Sequence, residues 1–212
     1  MTRYRFAAWF VLFLLLVPVV ASLAASSGSP PVSESPALRI AFDAATGQLL
    51  EFTDKRNGHQ FIDPAASDAL WNIQLLPASE AGDINPSQAQ SFTSELLRDG
   101  STGLSLTWRG FGRAEAPDLA VSVKVSLAED TSAAYWSIAV EHTGDLPVHS
   151  VRFPRIPGIA AQEDERLAAP IWMGQLTQNP RNFLCKPEKP GRMEWAYPGL
   201  LSLQCVTLYR DG

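Results

Sequence analysis

Cysteine and histidine are scarce in this chain, and their scarcity narrows the chemistry. Two cysteines occur, Cys185 and Cys205, and three histidines, His59, His142 and His149. Two cysteines cannot build a zinc ribbon, and no histidine stands at ligand spacing from either one. There is no Gly-x-Ser-x-Gly elbow, no phosphate loop and no His-Glu-x-x-His pair. No metal and no cofactor are therefore expected. Basic residues are also in deficit, with 17 Lys+Arg against 22 Asp+Glu and a net charge of −5. Such a chain is a poor binder of polyanions, which argues against nucleic acid as a partner. It also lacks the basic patch that anionic lipid would need. No window carries a sustained 3.6-residue apolar period, which argues against a helical bundle.

One long apolar run is present, at the N-terminus. Arg3 and Arg5 precede an almost wholly apolar stretch from Phe6 to Val20, with Pro18 near its end. Ala21-Ser22-Leu23-Ala24 follows, with small residues at the −3 and −1 positions of a cleavage site. This is the layout of a secretory signal peptide over residues 1–24. The run is short for a bilayer span, which takes about 20 residues. Export to the periplasm or medium is expected, with no membrane segment in the mature form. Cleavage would remove Arg3 and Arg5 and no acid, taking the net charge from −5 to −7. Residues 25–36, rich in serine and proline, read as a flexible leader. Residues 37–212 then form one domain, long enough for a real core.

That domain reads as strands and turns. Leu38 to Phe42 alternates apolar and polar residues, Thr46-Gly47 turns the chain, and Gln48 to Thr53 returns. Arg56-Asn57-Gly58 is a second turn signal, before a short strand at His59 to Ile62. Leu70 to Leu76 alternates until Pro77. Phe92 to Leu97 is turned by Asp99-Gly100 into Gly103 to Trp108. Leu119, Val121, Val123, Val125 and Leu127 fall on one face of a period-two run. Tyr135 to Val140 is the next strand, and Thr143-Gly144-Asp145 separates it from Val148 to Phe153. Short strands, regular turn signals and many prolines predict an all-β antiparallel sandwich.

From Pro154 onward the texture changes. Six further prolines, from Pro157 to Pro198, punctuate a region that also holds Trp172, Phe183, Trp195 and Tyr197. It reads as long loops over a sheet face or edge, with one helical turn at most in residues 163–169. Leu200 to Tyr209 is patterned as a strand, and Asp211-Gly212 is a hairpin turn signal with no return strand. This predicts that the chain is the N-terminal part of a larger protein.

Several of these pieces resemble a known family. Phe42-Asp43-x-x-Thr46-Gly47-x-Leu49, Asp54-x-x-Asn57-Gly58-x-x-Phe61-Ile62 and Leu70-Trp71-x-Ile73-x-Leu75 look like the first strands of a galactose-mutarotase-like β-supersandwich. Tyr135-Trp136-Ser137-Ile138, Val151-Arg152-Phe153-Pro154, Pro170-Ile171-Trp172-x-Gly174 and Tyr197-Pro198-Gly199 resemble one group of it. These are large secreted bacterial proteins similar to glycoside hydrolases, in which the sandwich precedes a (β/α)-barrel. The resemblance runs from about Leu38 to Gly212. It implies a sandwich incomplete at its C-terminus and a catalytic barrel outside this chain. The family's catalytic acids would belong to that barrel, so none is assigned here.

Candidate chemistry within the chain is sparse. Glycoside hydrolysis needs two opposed carboxylates. The Glu163-Asp164-Glu165 cluster offers the residue type, but reads as a solvated loop. Asp43, Asp54 and Asp63 lie beside turns, where aspartate organises backbone N–H groups. His142 and His149 flank one turn and would face each other across that hairpin, the only sketch of an epimerase acid–base pair. Surface polar residues are the plainer reading. Trp172, Trp195 and Tyr197 are the candidate sugar-contacting rings, with Gln175, Asn179, Arg181, Asn182, Arg192 and Glu194 nearby in sequence. Trp71, Trp108 and Trp136 sit in strands and are assigned to the core. Cys185 and Cys205 form a disulfide if the compartment is oxidising; alternatively Cys205 is a small buried hydrophobe in its strand. Both readings stand open.

Carbohydrate is thus the expected partner. The leading expectation is a non-catalytic, carbohydrate-associated sandwich supporting the barrel of a secreted glycoside hydrolase. The alternatives are a free-standing mutarotase-like epimerase and a secreted structural or adhesive sandwich.

Overall fold

A computed structural model describes residues 29–66, 68–76, 83–97, 101–114, 116–129, 131–143, 147–156, 158–171, 173–186, 189–190, 202 and 205–210. Residues 1–24, read from sequence as a signal peptide, lie outside them. Among the described residues no helix is long and apolar enough to cross a membrane.

Two four-stranded antiparallel sheets enclose one core. The first runs β1 (Val32–Glu34), β2 (Leu38–Phe42), β3 (Leu49–Asp54) and β4 (His59–Gln60) in spatial order. The second is a meander of β6 (Ser91–Leu96), β7 (Thr102–Arg109), β8 (Ala120–Leu127) and β9 (Ala134–Glu141). The chain is therefore all-β, and the expected turns at Thr46-Gly47 and Arg56-Asn57-Gly58 join strands that pair.

Alternation explains how the core is filled. The five residues predicted to share a face in and before β8 are all buried, from Leu119 to Leu127. Register places Val121, Val123 and Val125 opposite Trp108, Leu106 and Leu104 of β7, which are buried as well. Leu38, Ile40 and Phe42 of β2 close the same cluster from the first sheet. Each fully buried side chain of this kind is worth roughly 1.5–3 kcal/mol. Aromatic edges tie the layers: Phe42 meets Trp136 at 6.2 Å between ring centroids, and Trp71 meets Trp108 at 5.6 Å. Trp71 and Trp108 are fully buried and Trp136 packs on the core, in line with the core assignment made from sequence, although Trp71 stands just before its strand rather than in it.

The fold begins earlier than Ala37. β1 lies inside the stretch read as a flexible leader and pairs with β2 from Val32↔Ala41 to Glu34↔Arg39. Ser33 and Ser35 are buried, and Ser35 Oγ accepts the Leu38 N–H at 3.1 Å. Serine at these positions holds backbone groups, which composition alone does not distinguish from a linker.

Beyond the sandwich, β5 (Asn72–Leu75) pairs with β10 (Val148–Arg152). β9 and β10 thus belong to different sheets, and the hairpin expected around His142 and His149 does not form. Among the described residues of the proline-punctuated region, short strands stand where long loops were expected. β11 (Arg166–Ala169) replaces the helical turn expected there and lies between β12 (Gln175–Gln178) and β15 (Thr207–Tyr209). A one-turn helix, α1 (Arg181–Leu184), leads into a minimal hairpin of β13 (Cys185–Lys186) and β14 (Lys189–Pro190).

Candidate functional site

A cleft of about 290 Å³ opens where the β3–β4 hairpin meets the small sheet. Its first wall is set by turn chemistry. Asn57 Oδ1 accepts the His59 N–H at 2.9 Å, and Gly58 supplies the left-handed backbone, φ 71°. This fixes His59 at the start of β4, edge-on to Phe61 at 5.0 Å.

The second wall is the segment from Gly158 to Glu165, stitched onto the chain after β4. Asp63 N donates to Gly158 O, Ala160 N to Phe61 O, and Ile62 bridges Ile159. Glu165 is only 4% exposed, and Arg181 of α1 grips both its oxygens, at 2.6 and 2.9 Å. The same guanidinium donates to the carbonyl of Ile159 at 3.0 Å. Gln162 N donates to Glu165 Oε1, and the Gln162 amide meets His59 Nε2 at 2.5 Å. The third wall is Leu208, Tyr209 and Arg210, positioned by pairing of β15 with β11.

Both carboxylates of the cleft are held ionised. Asp54 is 5% exposed and takes a forked pair of hydrogen bonds from Arg56, at 2.9 and 2.5 Å. That pairing outweighs burial and lowers its pKa to about 2. Arg181 likewise holds Glu165 below the usual carboxylate range, again against burial. A carboxylate this acidic has no proton to give near neutrality and little basicity to offer. The pair is thus suited to accepting hydrogen bonds from a ligand's hydroxyls, not to proton transfer. Among the described residues, no three His, Cys, Asp or Glu side chains are grouped to hold a metal ion.

The residues singled out from sequence fall unevenly. Trp172, Trp195 and Tyr197 lie outside the described residues, as do Arg192 and Glu194. Of their neighbours, Gln175 is exposed on β12, Asn179 adopts φ 46°, and Arg181 is the clamp on Glu165. Asp43, Asp54 and Asp63 do organise turns, accepting the N–H groups of Thr46, Arg56 and Ala65. Glu165 is not the solvated residue its acidic neighbours suggested; its Arg partner lies 16 positions away. His142 is half-buried after β9, while His149 is exposed on β10. Cys205 is an exposed free thiol that precedes β15, so it is neither bonded to Cys185 nor buried in a strand. The Cys185 side chain lies outside the described set. His59, Gln162, Tyr209 and Arg210 were not singled out, because nothing local links four positions so far apart. The one available signal was His59 directly after an Asn-Gly turn.

No protein-family model matches the chain, and no curated protein matches it.

Proposed function

We propose that this chain is an exported, non-catalytic β-sandwich module that binds carbohydrate and serves a secreted glycoside hydrolase. The observation that carries the binding part is the cleft. Tyr209 and Phe61 offer ring surface for the apolar C–H face of a sugar. Asn57, Gln162 and the ionised Asp54 offer hydrogen-bond partners for hydroxyls, and a mostly apolar concavity with a few polar groups is what a small ligand needs. Its two Arg-bound carboxylates favour accepting hydrogen bonds over proton transfer, which supports a binding role. The link to a glycoside hydrolase barrel, the galactose-mutarotase-like fold and export rest on the sequence resemblance and the N-terminal pattern. The epimerase alternative is weakened, because His142 and His149 do not share a hairpin.

The test is to express the full chain with its own N-terminus, sequence the released protein and titrate it with oligosaccharides. The released chain is expected to begin at Ala25. Tyr209→Ala is expected to weaken sugar binding about tenfold, or about 1.4 kcal/mol, the scale of one lost aromatic contact. Equal binding by Tyr209→Ala and the parent protein would remove the cleft from consideration.

A further inference from the structure

We infer that the cleft selects acidic sugars, with the ligand's carboxylate placed against Arg210. This deepens the carbohydrate reading above and rests on it. Four charged side chains belong to the cleft and its immediate support as matched pairs. Asp54 is neutralised by Arg56, and Glu165 by Arg181. His59 adds no negative charge in either protonation state. Arg210 is exposed, lines the cleft beside Tyr209, and among the described residues no carboxylate pairs with it. Of the residues of fixed charge that line the cleft, Asp54 and Glu165 are thus paired, and Arg210 alone has no counter-charge among the described residues.

A guanidinium with no carboxylate partner among the described residues, next to an exposed phenol ring, matches a uronic acid in particular. The pyranose ring would lie on Tyr209 while its C5 carboxylate takes the planar fork of Arg210. Guanidinium–carboxylate pairing is charge-assisted and bidentate, so it discriminates by charge and by geometry. A neutral hexose offers only a hydroxymethyl at that position and would leave Arg210 solvated. The matched pairs matter as much as the free cation. Without Arg56 and Arg181 the two buried carboxylates would repel an acidic ligand, whereas paired they leave the hydroxyl-binding groups in place without that repulsion.

The experiment compares tetragalacturonate with its methyl ester, which keeps the ring and removes the charge. Calorimetric titration of the full chain is expected to give at least tenfold tighter binding of the acid, with the gap narrowing as salt is raised. Arg210→Gln is expected to erase that gap. Its fold can be verified by circular dichroism, since an exposed residue after an edge strand supports no core contact. Equal affinity for acid and ester, or a preference that survives Arg210→Gln, would overturn the inference while leaving carbohydrate binding intact. Binding of neutral oligosaccharides only would do the same. Failure to bind any oligosaccharide, acidic or neutral, would overturn the carbohydrate reading itself.

Discussion

Gly47→Ala tests whether the two sheets meet as described, because this glycine is where a turn of one touches the aromatics of the other. Gly47 lies between β2 and β3 with φ 70°. A Cβ there would collide with the Phe92 ring and come within 2.5 Å of Trp108 Cζ2. Neither ring can retreat easily. Trp108 is fully buried, and its Nε1 donates to Thr46 O at 2.8 Å, one residue before the glycine. Two costs then add. The left-handed backbone penalises alanine by about 1–2 kcal/mol, and forcing a methyl into filled space costs about 1–3 kcal/mol more. Gly58→Ala is the matched control, since Gly58 has φ 71° but no atom within 4 Å of its would-be Cβ. It should show the backbone cost alone. At roughly 2–4 °C per kcal/mol for a chain of this size, Gly47→Ala should lower Tm by about 4–20 °C and Gly58→Ala by about 2–8 °C. Scanning calorimetry on both variants gives the difference directly. If Gly47→Ala melts no lower than Gly58→Ala, the β2–β3 turn does not rest on the Phe92–Trp108 pair and the packing argument fails.

Acid should unfold the protein through its paired carboxylates. Asp54 has a folded pKa of about 2 against an ordinary 3.8, and Glu34, Asp43, Asp118 and Glu165 shift in the same direction. A lowered folded pKa contributes stability above the unfolded value that is lost as pH falls toward the folded one. Tm should thus hold above about pH 5 and decline between about 4 and 2. Asp54→Asn should make that decline shallower, and an unchanged acid limb would refute the assignment. Glu165→Gln should destabilise by about 1–3 kcal/mol in urea titration, less than a fully buried pair because 34% of the Arg181 side chain is exposed. No loss of stability would show that the clamp on the Gly158–Glu165 segment is dispensable. The Cys205 thiol should react with iodoacetamide in the native, unreduced protein. Labelling that requires prior reduction would instead establish a disulfide.

Much of the sandwich was legible because period-two alternation reports directly which face of a strand is buried. Leu119, Val121, Val123, Val125 and Leu127 read that way, and all five are buried. Turn chemistry was legible too, since Asp43, Asp54 and Asn57 act on backbone groups two or three residues away. Strand partners were harder. Alternation assigns a face but not a neighbour, so Thr143-Gly144-Asp145 looked like a hairpin although β10 pairs with β5, 76 positions back at Ser150↔Gln74. The same limit hid β11, whose four half-buried residues carry no alternation to read.

The candidate site shows where local reading stops. The acidic run at 163–165 looked solvated because adjacent like charges repel, and only the fold brings Arg181 onto Glu165 and withdraws that one carboxylate from water. The cleft joins a turn near residue 57, a segment near 160 and a strand near 209. By itself the sequence determined the β class, the buried faces and the turns, because these depend on spacing within a few residues. The tertiary structure decided strand partners, the state of Glu165 and the grouping of Tyr209 and Arg210 with His59, because those depend on contacts between residues that the chain keeps far apart.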